Sequence, residues 1–158
     1  MKKSDITRLF DFPQYQLAHY PQDNCFVHKN ANKWHSISTH EYLDTANQIS
    51  KALLHLGVKP GDKIAVITTN NTPKWFMLDI GVLQLGAINV PLYPTFSEQD
   101  YAYILKHSDA TYCFVSDAGL YDKVQAVRSK TQLKKVFTFE DNESDYSWSS
   151  FLNLANSD

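Results

Sequence analysis

Residues Lys63–Thr95 read KIAVITTNNTPKWFMLDIGVLQLGAINVPLYPT, and they contain a complete strand–helix–strand unit. The run KIAVIT is short, apolar and rich in β-branched residues, which predicts a strand buried on both faces. Thr72 and Pro73 follow as an N-cap and a proline at the first helical position, where its missing N–H costs nothing. Gly86 is placed to end this helix, and Ile88–Leu92 is predicted as the second strand.

The same alternation of strand and helix continues toward the carboxyl end of the chain. Ser97 is a further N-cap candidate, and the helix behind it is predicted to run to about Lys106. A strand over Thr111–Val115, a helix over Leu120–Val127 and a strand over Lys135–Phe139 follow with short connections. This order predicts an α/β fold, with a mostly parallel sheet and helices on both faces.

A β-hairpin and an amphipathic helix are predicted in front of the sheet. Two alternating runs flank residues 30–32, where two asparagines tolerate the positive φ of a tight turn. Ser38 and Glu41 have the spacing of a capping box. Behind them the apolar residues recur at helical spacing until Gly57, which is placed to end the helix.

The totals describe one ordinary globular unit of 158 residues, of which 43% are hydrophobic and 13% aromatic. We expect a single α/β subdomain over residues 1–158. Its parts are a lead-in helix and hairpin (1–37), a repeated βα core (38–139) and an acidic tail with a weak helix (140–158).

Charge and cysteine content limit the partners and the compartment. The formal net charge is −2 without a basic block, which argues against nucleic-acid binding. Two cysteines without a CxxC motif suit a reducing compartment, so we expect a cytoplasmic protein. No apolar run is long enough to predict a transmembrane segment, although the pattern is compatible with a peripheral membrane contact.

Loops beyond the carboxyl ends of parallel strands are where ligands bind in such sheets. None of the five glycines forms a GxGxxG or GxxxxGK phosphate loop. Ser116 and Asp117 follow a strand without a GxSxG elbow, so we interpret them as a helix N-cap rather than a catalytic pair. His28 and His35 would face each other across a tight hairpin. Because zinc sites usually need three or four protein ligands, we interpret both as exposed hairpin residues.

The segment Leu56–Asp117 resembles the N-terminal region of the AMP-forming acyl-CoA synthetases, the adenylate-forming superfamily. The motifs that carry the resemblance occur in order, and they are GxxxGDxxA, NxPxW, GAxxVPLYPT, YILxxSxA and FVSD. The PLYPT motif is most similar to the long-chain fatty acid branch. The resemblance extends over nearly the whole chain and implies a partial N-terminal subdomain of the adenylate-forming fold.

The resemblance implies a parent fatty acid–CoA ligase that forms an acyl-adenylate and then an acyl-CoA thioester, using ATP, Mg²⁺ and coenzyme A. The family's TSGTTGxPKG loop, YGxTE motif and C-terminal lysine domain do not occur here. We therefore expect an N-terminal fragment that holds no cofactor of its own, is inactive alone and has the remainder of the synthetase as its partner. By position, Tyr93, Pro94 and Thr95 correspond to the loop that borders the coenzyme A channel.

The alternative interpretation is a stand-alone α/β binding or interaction module derived from the same fold. Solution behaviour distinguishes the two, because a severed segment should expose an apolar patch and self-associate, whereas an evolved module should be monodisperse.

Overall fold

A computed structural model describes residue 2 and residues 6–156 of the chain. Its centre is a four-stranded, wholly parallel sheet, and a separate antiparallel hairpin precedes it. The elements in chain order are α1 (Asp11–His19), β1 (Phe26–Asn30), β2 (Lys33–Ile37), α2 (Thr39–His55), β3 (Lys63–Ile67), α3 (Pro73–Gln84), β4 (Ile88–Leu92), α4 (Glu98–His107), β5 (Ala110–Val115), α5 (Ala118–Val127), β6 (Lys135–Thr138) and α6 (Trp148–Asn153).

The sheet has the strand order β4-β3-β5-β6, so β3 and β5 are its central strands. Successive residues of β3 alternate between its two faces, because strand side chains have a period of two. Ile64 and Val66 contribute to one hydrophobic core, and Ala65 and Ile67 contribute to the other. The predicted α/β sheet with helices on both faces is confirmed.

The first core lies between the sheet and helices α2, α3 and α6. The rings of Phe114 and Phe137 stack at 5.2 Å, and Phe151 of α6 meets Phe114 edge-on at 4.8 Å. Helices α2 and α3 approach closely at Gly81, where an added Cβ would lie 2.5 Å from the Cγ2 atom of Ile49. Trp148 and Phe151 are both buried. The weak helix predicted within the acidic tail is therefore α6, and it closes this core.

The second core lies between the opposite face of the sheet and helices α4 and α5. Its fully buried members include Tyr101, Leu105 and Val124. Cys113 of β5 belongs to it and is completely buried, so it serves as a small core residue. Burial in this apolar layer raises the pKa of the Cys113 thiol well above its usual range.

The hairpin turn is made by Ala31 and Asn32, which have positive φ angles of 46° and 63°. These values match the two-residue turn that suits the twist of a hairpin. Its inner face packs on the body of the protein, where Phe26 meets Tyr42 edge-on at 4.9 Å and stacks on Phe76 at 5.4 Å. The hairpin is thereby fixed above the amino end of α3.

Local capping chemistry sets several helix ends as the sequence predicts. The Ser38–Glu41 box is complete in both directions, and Ser97 forms a second one with Asp100. Gly57 has a φ of +79°, which only glycine adopts at little cost. Thr72 is the N-cap of α3, but its side chain makes no capping hydrogen bond.

Two helices differ from the sequence-based prediction by two residues or more at one or both ends. Helix α5 begins at Ala118, two residues early, since the Asp117 carboxylate accepts from the Leu120 amide and caps it there. The last helix runs over Trp148–Asn153 instead of Phe151–Ala155, because Ser147 caps it. The three-part division of residues 1–158 stays a prediction, and residues 1, 3–5 and 157–158 within it lie outside the described residues. No helix among the described residues is both long and apolar enough to cross a membrane.

Candidate functional site at the carboxyl edge of the sheet

The carboxyl ends of all four sheet strands meet at one edge, because the strands are parallel. The connections that leave this edge are residues 93–97 after β4, 68–72 after β3, 116–117 after β5 and 139–147 after β6. Open α/β sheets bind ligands in the crevice beyond this edge. It is therefore the place to look for binding groups.

The loop after β4 carries the sequence-predicted residues Tyr93, Pro94 and Thr95. The backbone carbonyl of Tyr93 accepts a hydrogen bond of 3.0 Å from the Tyr101 hydroxyl, which fixes the start of the loop. Burial raises the pKa of Tyr101 to about 12, so this hydroxyl remains a donor at neutral pH. The Tyr93 ring meets Phe96 edge-on at 5.6 Å.

The Tyr93 side chain is 71% exposed, although its backbone is held in place. Pro94 is half-buried and Thr95 is exposed. A shallow depression of about 260 Å³ lies beside the loop, and its lining residues are Pro91, Leu92 and Tyr93. The loop therefore presents an exposed aromatic ring on a fixed backbone, which is a suitable surface for stacking a flat ligand group.

The connections after β3 and β5 are tied together by Ser116. Its hydroxyl accepts a hydrogen bond of 3.0 Å from the Thr69 amide and donates one of 2.7 Å to the Asp117 carboxylate. The other Asp117 oxygen accepts from the Leu120 amide at 3.0 Å. The hydroxyl proton is therefore committed to an N-cap carboxylate, and the predicted capping role of this pair is confirmed.

A further cavity lies between the hairpin and the carboxyl edge of the sheet, and the sequence did not predict it. Its volume is about 290 Å³. We call it the hairpin cavity, and its lining residues are His28, Lys29, Asn30, Ile37, Thr72, Pro73, Lys74, Ser116 and Phe139. The walls come from segments far apart in sequence. Only the alternation within β1, which places Phe26 and His28 on one face, could have indicated part of it.

Lys74 stands at the edge of the hairpin cavity and joins α3 to the segment after β6. Its ammonium group donates to the Phe139 carbonyl at 2.6 Å and to the Asp141 carboxylate at 2.9 Å. The same ammonium lies 5.4 Å from the centre of the Trp148 ring. The positive charge of Lys74 is thus partly compensated by Asp141.

Two side chains that line the hairpin cavity have buried polar atoms without a hydrogen-bond partner among the described residues. These atoms are Nδ1 of His28 and Oγ1 of Thr72. An unsatisfied buried polar group typically costs about 1–3 kcal/mol of stability. Groups of this kind in a folded protein are commonly satisfied by an ordered water molecule or an ion.

The two hairpin histidines are direct partners in the β1–β2 register, and their ring centres are 5.6 Å apart. His35 is exposed, but His28 is half-buried against the body of the protein. The prediction that both are exposed is therefore right for His35 only. Among the described residues, no group of three histidines, cysteines or carboxylates is placed to hold a metal ion.

The glycines do not form a phosphate cradle at the carboxyl edge. Gly57 follows α2, while Gly61 and Gly86 lie just before β3 and β4, at the opposite end of the sheet. Gly81 is packed inside α3, and Gly119 lies in the first turn of α5. A triphosphate needs several free backbone N–H groups in one concave loop. No glycine-rich loop of this kind occurs among the described residues of the edge.

An open parallel sheet with its loops gathered at the carboxyl edge defines an α/β ligand-binding domain. The sequence model of the family described as "AMP-binding enzyme" matches residues 13–155. Because the match covers most of the chain, the chain belongs to the AMP-binding enzyme family, and the resemblance to its adenylate-forming acyl-CoA synthetases is confirmed.

The curated relatives of this chain include two proteins named long-chain-fatty-acid–CoA ligases. Long-chain-fatty-acid–CoA ligase heimdall of Drosophila melanogaster is 28% identical over 124 residues, which cover 73% of this chain and 18% of that protein. Long-chain-fatty-acid–CoA ligase FadD15 of Mycobacterium tuberculosis is 32% identical over 100 residues, covering 57% of this chain and 16% of that protein. The chain spans about a fifth of the length of the curated relatives it matches.

Solved structures share the fold. The long-chain-fatty-acid-CoA ligase FadD1 from Archaeoglobus fulgidus superposes with a TM-score of 0.78 at 19% identity, covering 93% of this chain and 30% of that chain. The anthranilate CoA ligase AuaEII, in complex with anthranoyl-AMP, superposes with a TM-score of 0.76 at 21% identity, covering 99% of this chain and 29% of that one. At sequence identities this low, the comparison shows that the fold is shared and nothing further.

Proposed function

We propose that this chain is the N-terminal α/β portion of an ATP-dependent fatty acid–CoA ligase. Its role there is to hold the loop of Tyr93, Pro94 and Thr95 beside coenzyme A. The observation that carries the proposal is the exposed Tyr93 ring on a backbone fixed by Tyr101. The curated relatives support the substrate class, since they are named long-chain-fatty-acid–CoA ligases.

The complete enzyme uses ATP, Mg²⁺ and coenzyme A, whose thiol becomes the thioester of the fatty acid. In this chain, the Tyr93 ring provides a stacking face for a flat group such as adenine. Pro94 and Thr95 form the adjoining surface, and the half-buried proline keeps it rigid. Because the sequence has no glycine-rich phosphate loop, we expect ATP binding and catalysis to belong to the remainder of the synthetase and the 158-residue chain alone to be inactive.

A backbone amide NMR titration of the whole chain with coenzyme A, and separately with Mg·ATP, tests this proposal. We expect saturable shifts at residues 93–97 with coenzyme A and none at these residues with Mg·ATP. Tyr93→Ala should abolish the coenzyme A shifts and Tyr93→Phe should keep them, because only the ring is needed. Tyr103→Ala is the matched control, since Tyr103 is a similarly exposed tyrosine on α4.

Each unexpected outcome has a definite meaning. Coenzyme A shifts that survive Tyr93→Ala would overturn the role of the Tyr93 ring. Saturable Mg·ATP binding would overturn the assignment of phosphate binding to the remainder. A third outcome is that neither ligand causes amide shifts and the chain stays monodisperse at high concentration. This outcome would favour the stand-alone module over the ligase segment. The exposed Leu9, Phe12 and Trp34 side chains lead us to expect concentration-dependent self-association instead.

A further inference from the structure

Strand β4 lies at one edge of the parallel sheet, because its only neighbour among the described strands is β3. The N–H of Ile88 donates to the Asp62 carbonyl at 2.8 Å, on the side of β3. Backbone groups along a strand alternate between its two sides. Ile88 and every second residue after it therefore bond toward β3, whereas Asn89 and Pro91 direct their backbone groups away from the sheet.

The outward side of β4 offers very few hydrogen-bond donors. Pro91 has no N–H, so the Asn89 N–H is the one backbone donor on this side of the described strand. Within the described part of the chain, neither this N–H nor the carbonyls of Asn89 and Pro91 have a backbone partner. A proline fits at position 91 because an N–H there would point away from β3, so its absence removes no bond of the existing ladder.

The residue types in β4 follow the same alternation. Ile88, Val90 and Leu92, which bond toward β3, are apolar, and the last two pack in the second core. Asparagine and proline are among the residues that strands disfavour, and they occupy both outward positions. The sequence of β4 therefore favours pairing with β3 and disfavours pairing with any additional strand.

The exposed apolar ends of this edge explain why it needs protection. Ile88 is 49% exposed and Tyr93, directly after the strand, is 71% exposed. An open edge with apolar residues is a template for pairing with another chain, and proline on the edge is one device that prevents it. A second copy of this chain is a matching partner, because two β4 edges can pair antiparallel about a two-fold axis with the same groups facing each other.

We propose that Pro91 prevents the β4 edge from pairing with the β4 edge of a second copy. In the antiparallel register that sets residue 89 of one copy opposite residue 91 of the other, N–H groups at both positions would give two hydrogen bonds at each of the two symmetry-related residue pairs. Pro91 removes one bond from each pair. The proposal concerns the backbone of β4 and does not depend on coenzyme A binding at the Tyr93 loop.

Sedimentation velocity of the 158-residue chain over a range of concentrations tests this proposal with Pro91→Val. The variant gains the missing N–H and a residue that strands favour. We expect its dimer dissociation constant to be at least about tenfold lower than that of the unsubstituted chain, because two hydrogen bonds are recovered. Pro21→Val is the matched control, since Pro21 is exposed and lies outside every described strand. Equal dissociation constants for these two variants would overturn the proposal.

Two further measurements separate the backbone N–H from the valine side chain. Pro91→Ala restores the N–H without a large apolar group, and it should lower the dissociation constant by at least about threefold. Amide exchange at Asn89 should slow as the concentration of the Pro91→Val protein rises, because the outward N–H enters the new ladder. Stronger self-association of this protein without slower exchange at Asn89 would mean that the valine side chain alone causes it, and would overturn the role of the edge.

Discussion

At the scale of single residues, Gly81 decides how closely α2 and α3 can pack. A Cβ at this position would lie 2.5 Å from Cγ2 of Ile49 and 3.0 Å from the Ala46 carbonyl oxygen. Contacts this short force a backbone shift, and overpacking typically costs about 1–3 kcal/mol. Replacing glycine by alanine also stabilises the helix by up to about 1 kcal/mol, because alanine has the higher helix propensity. We therefore expect Gly81→Ala to lower the free energy of unfolding by roughly 1–2 kcal/mol, measured by urea denaturation.

Gly119→Ala is the matched control for this prediction. Gly119 also lies in a helix, but there the nearest atom to an added Cβ is a carboxylate oxygen of Asp117 at 3.3 Å. Its cost should stay within about 0.5 kcal/mol. If steric contact is the cause, Ile49→Ala should cost less in the Gly81→Ala background than alone. Additive effects of the two substitutions would contradict the packing explanation.

At the scale of elements, the capping boxes of two helices make the stability of the folded state depend on pH. The Ser38 backbone N–H, followed by its hydroxyl, lowers the pKa of Glu41. The Ser97 hydroxyl, followed by its backbone N–H, lowers the pKa of Asp100. A carboxylate whose pKa is depressed by folding stabilises the folded state above its unfolded pKa. That contribution is lost as the pH falls through the folded pKa.

We therefore expect the melting temperature to fall between about pH 5 and pH 2. Asp11 contributes to stability with the same pH dependence, because the Arg8 guanidinium lowers the pKa of its carboxyl group to about 2. The expected loss of stability therefore continues down to about pH 2. Replacing both Ser38 and Ser97 by alanine should cost about 1 kcal/mol each at pH 7 and should flatten this fall. Circular dichroism melts across this range provide the measurement. The control is Ser36→Ala on the exposed hairpin face, and an unchanged slope in the double variant would exclude the boxes as the cause.

The elements also show how far the sequence could predict the structure. Strand β4 coincides with the predicted Ile88–Leu92, because proline and glycine signals at both ends are local. The hairpin was expected from its asparagines, yet Ala31 occupies one of the two left-handed turn positions. Packing of Phe26 against the body fixes the hairpin whatever the local preference of Ala31. Local patterns therefore predicted the elements and the Tyr93 loop but could not predict the hairpin cavity, whose walls meet only in three dimensions.

At the scale of the whole molecule, α6 makes the end of the described chain part of the first core. Phe151 is fully buried and packs against Phe114, Phe137 and Trp148 at ring-centre distances of 4.8, 5.0 and 5.8 Å. The acidic stretch before α6 favoured a peripheral tail. The pattern of Trp148 and Phe151, three residues apart on one helix face, explains why the helix is held inward.

We expect Phe151→Ala to destabilise the whole chain by about 3–5 kcal/mol, as large-to-small changes of buried aromatic residues do. Leu54→Ala is the control, because Leu54 is 57% exposed on α2 and its loss should cost less than about 0.5 kcal/mol. Since the ring touches both central and edge strands of the sheet, amide exchange should accelerate in β5 and β6 as well as in α6. Faster exchange confined to residues 148–156 would mean that α6 is an appendage, and that the sheet and its remaining helices form the cooperative unit without it.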